Sequence, residues 1–353
     1  MRVSGNKTAS RWLTVVLRQS LHFSPMLAAF AATALLANAQ AYPVYPAFNV
    51  GGQTSLLTGN SPALVYMPEL GKTFMAYRDN SSGDLFVSSS TTGAEASWSS
   101  PVNTGLSLLN GAIAGVDLHG TIYLVAYGTS TGFASMTSSN GTSWSAPHEL
   151  GLQCANGEPV SGTYRPGLAL FNSALYLSVT CPSDEADPFD AAVAKSTNNG
   201  ASFSTAVLLD STVSGTSLTV FTPVGYPTPS LYAGFDSPEA SYFESCVMET
   251  NGSWGCAVDT TKAFASDPAL IVLSPPGNTS PALYVFGEAY NSSNLTAIAA
   301  YDFVNPAGPW EPYHEYGETL TNSPAVSLAP NGTFLIAFHS NFSSHIWTYT
   351  APN

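Results

Sequence analysis

One stretch decides the fold because the chain repeats it: Thr73-Phe74-Met75-Ala76-Tyr77, then Leu85-Phe86-Val87-Ser88, then Ser97-Trp98-Ser99-Ser100-Pro101. Its short apolar runs are typical of β-strands, and the Gly-, Asn- and Ser-rich segments between them predict turns. A helical 3.6-residue period is missing. The stretch therefore predicts short antiparallel strands, followed by a turn that ends at a tryptophan.

The same order of segments returns along the chain. It recurs at 123–147, and its apolar strand recurs four more times. The residues that close this strand are Tyr77, Tyr127, Val179, Phe235, Phe286 and Phe338. Their spacings are 50, 52, 56, 51 and 52, and residues 42–353 divided by six give 52. Both counts predict six units.

Units of this length with four short strands are typical of the blades of a β-propeller. The last unit stops one strand short, after His345-Ile346-Trp347-Thr348-Tyr349, and the apolar stretch 42–50 is unassigned. Pairing of these two segments would leave no sheet edge exposed. We therefore expect an all-β fold, a six-bladed β-propeller closed by an N-terminal strand that joins the last blade.

The first 41 residues have the pattern of a secretory signal peptide. Four bases precede an apolar run at 26–37, and the small-residue sequence Ala37-Asn38-Ala39-Gln40-Ala41 follows it. The run is shorter than the roughly 20 residues that span a bilayer, and an uncleaved anchor is the alternative. We expect a signal peptide over 1–41, one domain over 42–353, and a secreted protein, extracellular or periplasmic.

Residues 42–353 are strongly acidic. They hold 23 acids and five bases, a net charge of −18; the bases are Lys72, Arg78, Arg165, Lys195 and Lys262. Such a surface repels nucleic acid and anionic membranes, and no later segment has 18 consecutive apolar residues. We expect no nucleic-acid partner and no membrane insertion, and the oligomeric state stays open.

Four cysteines lie in this part of the chain, and four allow three pairings. We expect Cys246–Cys256, because these residues flank a short turn at Asn251-Gly252 and cross-strand side chains lie close enough to bridge. The remaining pair is Cys154–Cys181. No C-x-x-C motif occurs, which disfavours a structural zinc site.

Two turns resemble the Asp-box (BNR repeat) of sialidase-like β-propellers, with the pattern Ser-x-Asp-x-Gly-x-Thr-Trp. The stretch 196–203 fits with Asn198 for Asp and Phe203 for Trp, and 137–144 fits more loosely with Ser139 in the Asp position. The resemblance covers 42–353 as architecture and implies the fold shared by sialidases and several propeller lectins. Asp-boxes stabilise turns away from the ligand face, so they leave the chemistry open.

Residue counts disfavour two activities of such proteins. Sialidases hold the substrate carboxylate with three arginines, whereas residues 42–353 contain only Arg78 and Arg165, and Lys does not supply bidentate recognition. Tyr164-Arg165-Pro166 resembles the family's arginine motif, but it lies in the third unit rather than the first. Six-bladed fucose lectins repeat an Arg, Glu and aromatic set in each blade, and this sequence does not.

The candidate ligand contacts are loop residues that differ between units. They are Arg78, Asp79, Tyr164, Arg165, Asp236, Glu288, Tyr290 and His339. Loops between second and third strands gather at one end of a propeller. These residues predict a lectin-like module that binds a glycan or polysaccharide without turnover.

Two alternatives stay open. A glycoside hydrolase or lyase of this fold needs two carboxylates about 5 to 10 Å apart. The candidates are Asp79, Asp84, Asp236, Glu239 and Glu288. The other alternative is a protein-interaction propeller.

Two further groups of residues have simple interpretations. Trp98, Trp144, Phe203, Trp254 and Trp310 each follow a hairpin tip; they could stack on sugars, but their regular placement favours wedges between blades. The acidic stretch from Asp184 to Asp190 could hold Ca²⁺. It lacks EF-hand spacing, so we favour a solvated loop and expect no cofactor.

Overall fold

The structure of the chain is a computed structural model. It describes residues 48–49, 61–94, 97–183, 189–211, 215–223, 226–237, 242–259, 264–274, 281–290, 292–300, 314–340 and 345–352. All of these belong to one compact unit, Tyr42–Asn353. The signal peptide over 1–41, the acidic residues 184–188, Glu239 and Trp310 lie outside the described residues and stay predictions.

The described part of the chain is an all-β propeller of antiparallel sheets, in which Pro68–Leu70 form a short 3-10 helix. After β1 (Phe48–Asn49), sheet I contains β2 (Ala63–Met67), β3 (Lys72–Arg78), β4 (Asp84–Ser90), β5 (Val102–Asp117), β6 (Ile122–Gly128), β7 (Gly132–Ser138) and β8 (His148–Glu149). Sheet II contains β9 (Gly167–Phe171), β10 (Ala174–Pro182), β11 (Phe189–Ser196) and β12 (Val207–Ser211).

The three remaining sheets, III to V, are also antiparallel and follow one another along the chain. Sheet III contains β13 (Thr216–Phe221), β14 (Ser230–Ser237), β15 (Tyr242–Met248) and β16 (Trp254–Asp259). Sheet IV contains β17 (Ala269–Leu273), β18 (Ala282–Glu288), β19 (Asn294–Ala300) and β20 (His314–Thr319). Sheet V contains β21 (Ala325–Leu328), β22 (Thr333–His339), β23 (Ile346–Pro352) and, beside β23, the N-terminal strand β1.

Sheet I has seven strands because β5 serves two partners. The first part of this 16-residue strand pairs with β4, with Ser107 opposite Asp84. The second part pairs with β6, with Ile113 opposite Ala126, and the register shifts between Leu108 and Ile113. Sheet I therefore contains two successive four-strand sets that share one continuous strand, the first and second sets; sheet II is the third set and sheet III the fourth.

The first strand of each set borders the next around a ring. β2 contacts β5, β5 contacts β9, and the series continues through β13, β17 and β21 back to β2. Apolar clusters fill the seams between sets. At the seam between sheets V and I, Leu64 and Met75 pack with Leu335 and Ala337. Burial of these side chains, at about 25 cal/mol per Å² of apolar surface, holds neighbouring sheets together.

Both expected disulfides are confirmed. Cys154 is bonded to Cys181, and Cys246 to Cys256, which lies opposite it in the β15–β16 ladder. Free cysteines are absent from the described part of the chain.

In both Asp-box-like turns, an asparagine side chain accepts hydrogen bonds from backbone N–H groups of the turn. In one of the two turns, this asparagine is not the residue that the sequence interpretation placed in the Asp position. In the third set, Asn198 accepts a hydrogen bond from the Ser202 N–H at 3.0 Å, as expected. In the second set, Asn140 rather than Ser139 takes the Asp position, because its Oδ1 accepts from the N–H groups of Thr142 and Ser143 at 2.8 and 3.0 Å. The motif is one residue shorter there, so an alignment counted back from Trp144 gives the wrong residue.

Candidate ligand-binding site

The eight predicted ligand contacts lie at one end of the ring. Arg78, Asp236, Glu288 and His339 lie at or next to the ends of second strands, Asp79 and Tyr290 follow such strands, and Tyr164 and Arg165 precede the first strand β9. First and second strands are antiparallel, so the second strands end where the first strands begin. We call this the axial end. The structure thus gathers the eight residues at one end.

The central channel is narrow. The cavity along it has a volume of about 80 Å³, and residues of all the first strands line it, among them Leu64, Gly115, Gly167 and Leu270. Pockets for small ligands usually measure about 300–1,000 Å³. The channel itself is therefore too small for a sugar ring.

The centre of the axial end is occupied by Asp267, a residue that the sequence analysis missed. The Arg165 N–H donates to Asp267 Oδ2 at 3.0 Å, and the Gly215 N–H and the Ser323 hydroxyl donate to the same carboxylate. A Cβ on Gly215 would overlap with that carboxylate, so only glycine allows this approach. Asp267 thus joins residues that precede β9, β13 and β21.

Arg165 crosses the same region. Its Nη1 donates to the carbonyl oxygen of Pro324, while its Nε is buried and has no hydrogen-bond partner among the described residues. Burial lowers the pKa of Arg165 to about 10, and the negative charge of Asp267 opposes this shift. Burial raises the pKa of Asp267, whereas the hydrogen bonds and the charge of Arg165 oppose that change. The two groups stabilise each other's charged forms.

Asp236 is the third ionisable residue at this centre and is only 3% exposed. Its Oδ1 accepts a hydrogen bond from the Phe264 N–H at 3.4 Å. Burial raises the pKa of Asp236 to about 8; the hydrogen bond from Phe264 opposes this shift and the charge of Asp267 adds to it. This shift favours the protonated form of Asp236 at neutral pH. We call Arg165, Asp236 and Asp267 the axial cluster.

Glu288 and His339 brace the segments beside this cluster. The Glu288 N–H donates to Ser266 Oγ at 3.3 Å, and burial raises the pKa of the Glu288 carboxyl. His339 Nδ1 is hydrogen-bonded to the Thr321 hydroxyl, and the His339 carbonyl oxygen accepts from the Thr321 N–H at 3.2 Å. These contacts tie the ends of β18 and β22 to the segments that contain Ser266 and Thr321.

The remaining predicted contacts differ in exposure. Arg78 Nε donates to the Leu108 carbonyl oxygen at 3.1 Å, and Asp79 Oδ2 accepts from the N–H groups of Ser81 and Ser82 at 3.1 and 2.8 Å. The Tyr164 ring packs edge-on against Phe189 at 5.2 Å between centroids. Tyr290 is 55% exposed. Tyr290 is thus the most open aromatic group of the predicted set.

A larger cavity lies away from the axis, between sheets II and III. It has a volume of about 720 Å³, and its lining includes Tyr176 and Lys195 of sheet II and Glu249, Asn251 and Trp254 of sheet III or its turn. We call it the seam cleft. Its volume falls within the range of ligand pockets. None of the sequence patterns described above indicates this site.

The described ranges contain neither a candidate metal site nor a candidate membrane-spanning helix. There, no group of three or more His, Cys, Asp or Glu side chains is placed to hold a metal ion. Likewise, none of the helical segments in those ranges is long and apolar enough to cross a membrane. Since 184–188 lie outside them, a calcium site in that stretch stays a prediction.

The sequence matches no protein-family model and no curated protein. Solved structures with the same fold include a Hadza microbial sialidase, with 16% identity, a TM-score of 0.66, and coverage of 87% of this chain and 68% of that one. A fungal lectin of Aleuria aurantia has 13% identity, a TM-score of 0.61, and coverage of 84% and 93%. An α-L-arabinanase of Penicillium chrysogenum has 10% identity, a TM-score of 0.58, and coverage of 87% and 98%. At these identities, the likeness establishes the propeller fold that lectins and glycoside hydrolases share.

Proposed function

We propose that residues 42–353 form a secreted six-bladed propeller that binds carbohydrate without turning it over. Six first strands follow one another around the ring, if the two parts of sheet I count as two blades. The pairing of Phe48 with Thr348 and of Asn49 with Trp347 supports closure of the last blade by the N-terminal strand. A truncation that removes residues 42–50 tests this closure, because it should lower the unfolding temperature sharply.

The solved structures of the same fold support a carbohydrate ligand. One Aleuria aurantia lectin structure contains a fucosyl-N-acetylglucosamine, and the arabinanase structure contains arabinobiose. Because one fold hosts many functions, the site must decide between binding and turnover. The observation that favours binding is that Asp267 accepts hydrogen bonds from Arg165, Gly215 and Ser323 above a channel of about 80 Å³. Because these charged groups are bonded to other parts of the protein, we assign them a structural role rather than a catalytic one.

A glycan array tests the proposal. We expect the purified protein to bind a limited set of immobilised glycans reversibly. A blank array at high protein concentration would contradict carbohydrate binding, and cleavage of the bound glycans would contradict the absence of turnover.

One observation favours a second candidate function, a glycoside hydrolase. Burial raises the pKa of Asp236 to about 8, and the neighbouring carboxyl of Asp267 adds to this shift; a carboxyl with a raised pKa near a second carboxyl is the pair that glycosidases use. Release of reducing ends from plant and microbial oligosaccharides tests this candidate. The hydrolase assignment requires that Asp236→Asn abolish the release while the glycan still binds.

The proposed extracellular location rests on the two disulfides, which form and persist in oxidising compartments. We propose cleavage of the signal peptide after Ala39 or Ala41. N-terminal sequencing of the secreted protein tests this, since its first residue should be Gln40 or Tyr42.

A further inference from the structure

Two seams of the ring are closed by the same contact. In the second set, Gly141 lies against the ring of Phe74 in the preceding set, so that a Cβ would overlap with that ring. In the third set, Gly200 lies equally close to Tyr123, whose hydroxyl donates to the Gly200 carbonyl oxygen at 2.9 Å. A turn glycine therefore packs on an aromatic ring of the neighbouring set.

The next seam, between sheets II and III, lacks this contact. In each of the first three sets, one residue of the second strand lies opposite the serine that ends the third strand. Phe74, Tyr123 and Tyr176 each come directly after that residue, so Tyr176 occupies the same repeat position as the other two. The turn glycine of sheet III is Gly252, and a Cβ there would meet nothing within 4 Å. The seam cleft of about 720 Å³ lies between the two.

The sequence of the turn accounts for the opening. Ser138 and Ser196 accept hydrogen bonds from the N–H groups of Gly141 and Gly200 at 2.8 and 2.9 Å, which folds those turns towards the neighbouring sheet. Sheet III has Met248 at this position, and Met cannot accept such a bond as a hydroxyl does. Met248 instead lies directly opposite Trp254 in the β15–β16 ladder.

The resulting tight hairpin is closed by its own backbone. The Glu249 N–H donates to the Ser253 carbonyl oxygen at 2.8 Å, and the Gly252 N–H donates to the Glu249 carbonyl oxygen at 2.9 Å. This geometry keeps the turn away from Tyr176 and leaves the half-buried Trp254 on the wall of the cleft. Trp254 packs against the apolar cluster of sheets II and III, and the same residue lines the cleft.

The lining of the seam cleft combines an apolar floor with a polar rim. Tyr176 and Val193 are buried in its floor, whereas Lys195, Glu249 and Asn251 are exposed at its rim. The Lys195 ammonium lies 5.5 Å from the centre of the Tyr176 ring, so it is held over the floor. Ligand pockets typically have this arrangement of apolar walls and a few convergent polar groups.

We propose that the seam cleft binds a neutral saccharide, with the C–H face of one sugar ring on Trp254 and hydroxyl groups at Lys195 and Glu249. This inference rests on the proposed carbohydrate-binding function and names its site. A flat ring suits the apolar face of a sugar, while an ammonium and a carboxylate give the hydroxyls a donor and an acceptor. The opposite charges of Lys195 and Glu249, on a chain with a net charge of −14, favour a neutral ligand over an anionic one.

The test uses the purified protein and the neutral glycan that binds most strongly on an array, with fucosyl-N-acetylglucosamine, arabinobiose and lactose as fixed probes. Calorimetry compares Glu249→Ala and Lys195→Ala with the matched controls Glu158→Ala and Lys72→Ala, which change the same residue types outside the cleft. Because ligand-binding energy concentrates in few contacts, we expect Kd to rise about tenfold or more in each cleft variant and less than about twofold in each control.

A second pair of variants tests the aromatic wall. Trp254→Phe should weaken binding more than Trp98→Phe, because Trp254 lines the seam cleft whereas Trp98 lies outside it, in the seam between sheets V and I. Equal Kd values in the cleft variants and the controls would overturn the cleft assignment but leave carbohydrate binding standing. A blank array would overturn both, and binding of acidic glycans alone would overturn the neutral ligand class.

Discussion

The axial cluster and the seam cleft are both polar regions of the ring, and they use charge in opposite ways. At the axial end, Asp267 and Arg165 are surrounded by protein groups and join three chain segments. In the seam cleft, Lys195 and Glu249 are exposed at the rim of an open volume. Charged residues close to the axis are therefore structural in this protein, whereas the altered turn at Glu249–Ser253 borders a ligand-sized space.

The largest expected effect separates the two regions by stability. Asp267→Ala removes the acceptor of several hydrogen bonds and leaves the Arg165 charge buried, which typically costs about 3–5 kcal/mol. Glu249→Ala changes an exposed rim residue and should stay within about 0.5 kcal/mol. Urea unfolding measures both. Similar losses of stability in the two variants would contradict the structural role of Asp267.

The pH dependence of stability tests the raised pKa of Asp236 in the axial cluster. The pKa of Asp236 is raised to about 8 in the folded protein, against about 3.9 in the unfolded chain. The contribution of Asp236 to the free energy of unfolding is therefore fully present below about pH 4. It is lost as the pH rises towards 8, at about 1.4 kcal/mol per pH unit. Asp236→Asn keeps a neutral side chain beside Asp267 and Arg165 at every pH.

We expect the free energies of unfolding of the wild type and Asp236→Asn to diverge by about 2–3 kcal/mol between pH 5 and pH 7, with the wild type losing stability. Denaturant titrations at several pH values measure this difference. Parallel curves for the two proteins would show that Asp236 ionises normally.

A pair of glycine variants tests why one seam is closed and the other open. Gly200→Ala and Gly252→Ala both place a side chain at a positive φ, of 80° and 86°, which costs about 1–2 kcal/mol in each case. Only Gly200→Ala also forces a methyl group into the Tyr123 ring, and overpacking adds about 1–3 kcal/mol. Thermal unfolding should therefore show the larger loss for Gly200→Ala. A larger loss for Gly252→Ala would contradict the open seam.

The smallest expected effect compares two tyrosines at equivalent positions. Tyr123→Phe removes the hydroxyl that donates to the Gly200 carbonyl oxygen and should cost about 1 kcal/mol. Tyr176 faces the seam cleft, so Tyr176→Phe should change stability by less than about 0.5 kcal/mol. Chemical denaturation measures both losses of stability, and equal losses would indicate that the seam between sheets II and III is closed as well.

Much of the fold could be predicted from the repeat. The strand that closes at Tyr77, Tyr127 and their equivalents has to be short and apolar because it is buried between neighbours, and this makes its spacing visible in the sequence. The pairing Cys246–Cys256 followed from the short turn between the cysteines, and the structure confirms it. The gathering of the loop residues at one end followed from strand direction alone.

The site was harder to predict because the decisive contacts cross between sets. Asp267 lies before Pro268 as Arg165 lies before Pro166, and Ser323 before Pro324. Alignment of the units at this proline would have placed these three side chains at the same level of the ring. The seam cleft left a weaker signal, Met248 at the position of Ser138 and Ser196, and its volume depends on packing that no local pattern determines.

Above all, we propose that the chain binds a saccharide without turning it over. Saturation-transfer NMR of the purified protein with its strongest array glycan tests both parts in one sample over several days. We predict transfer from protein to sugar-ring protons, with anomeric signals that stay constant. The absence of transfer, or the growth of new reducing-end anomeric signals, would contradict the claim.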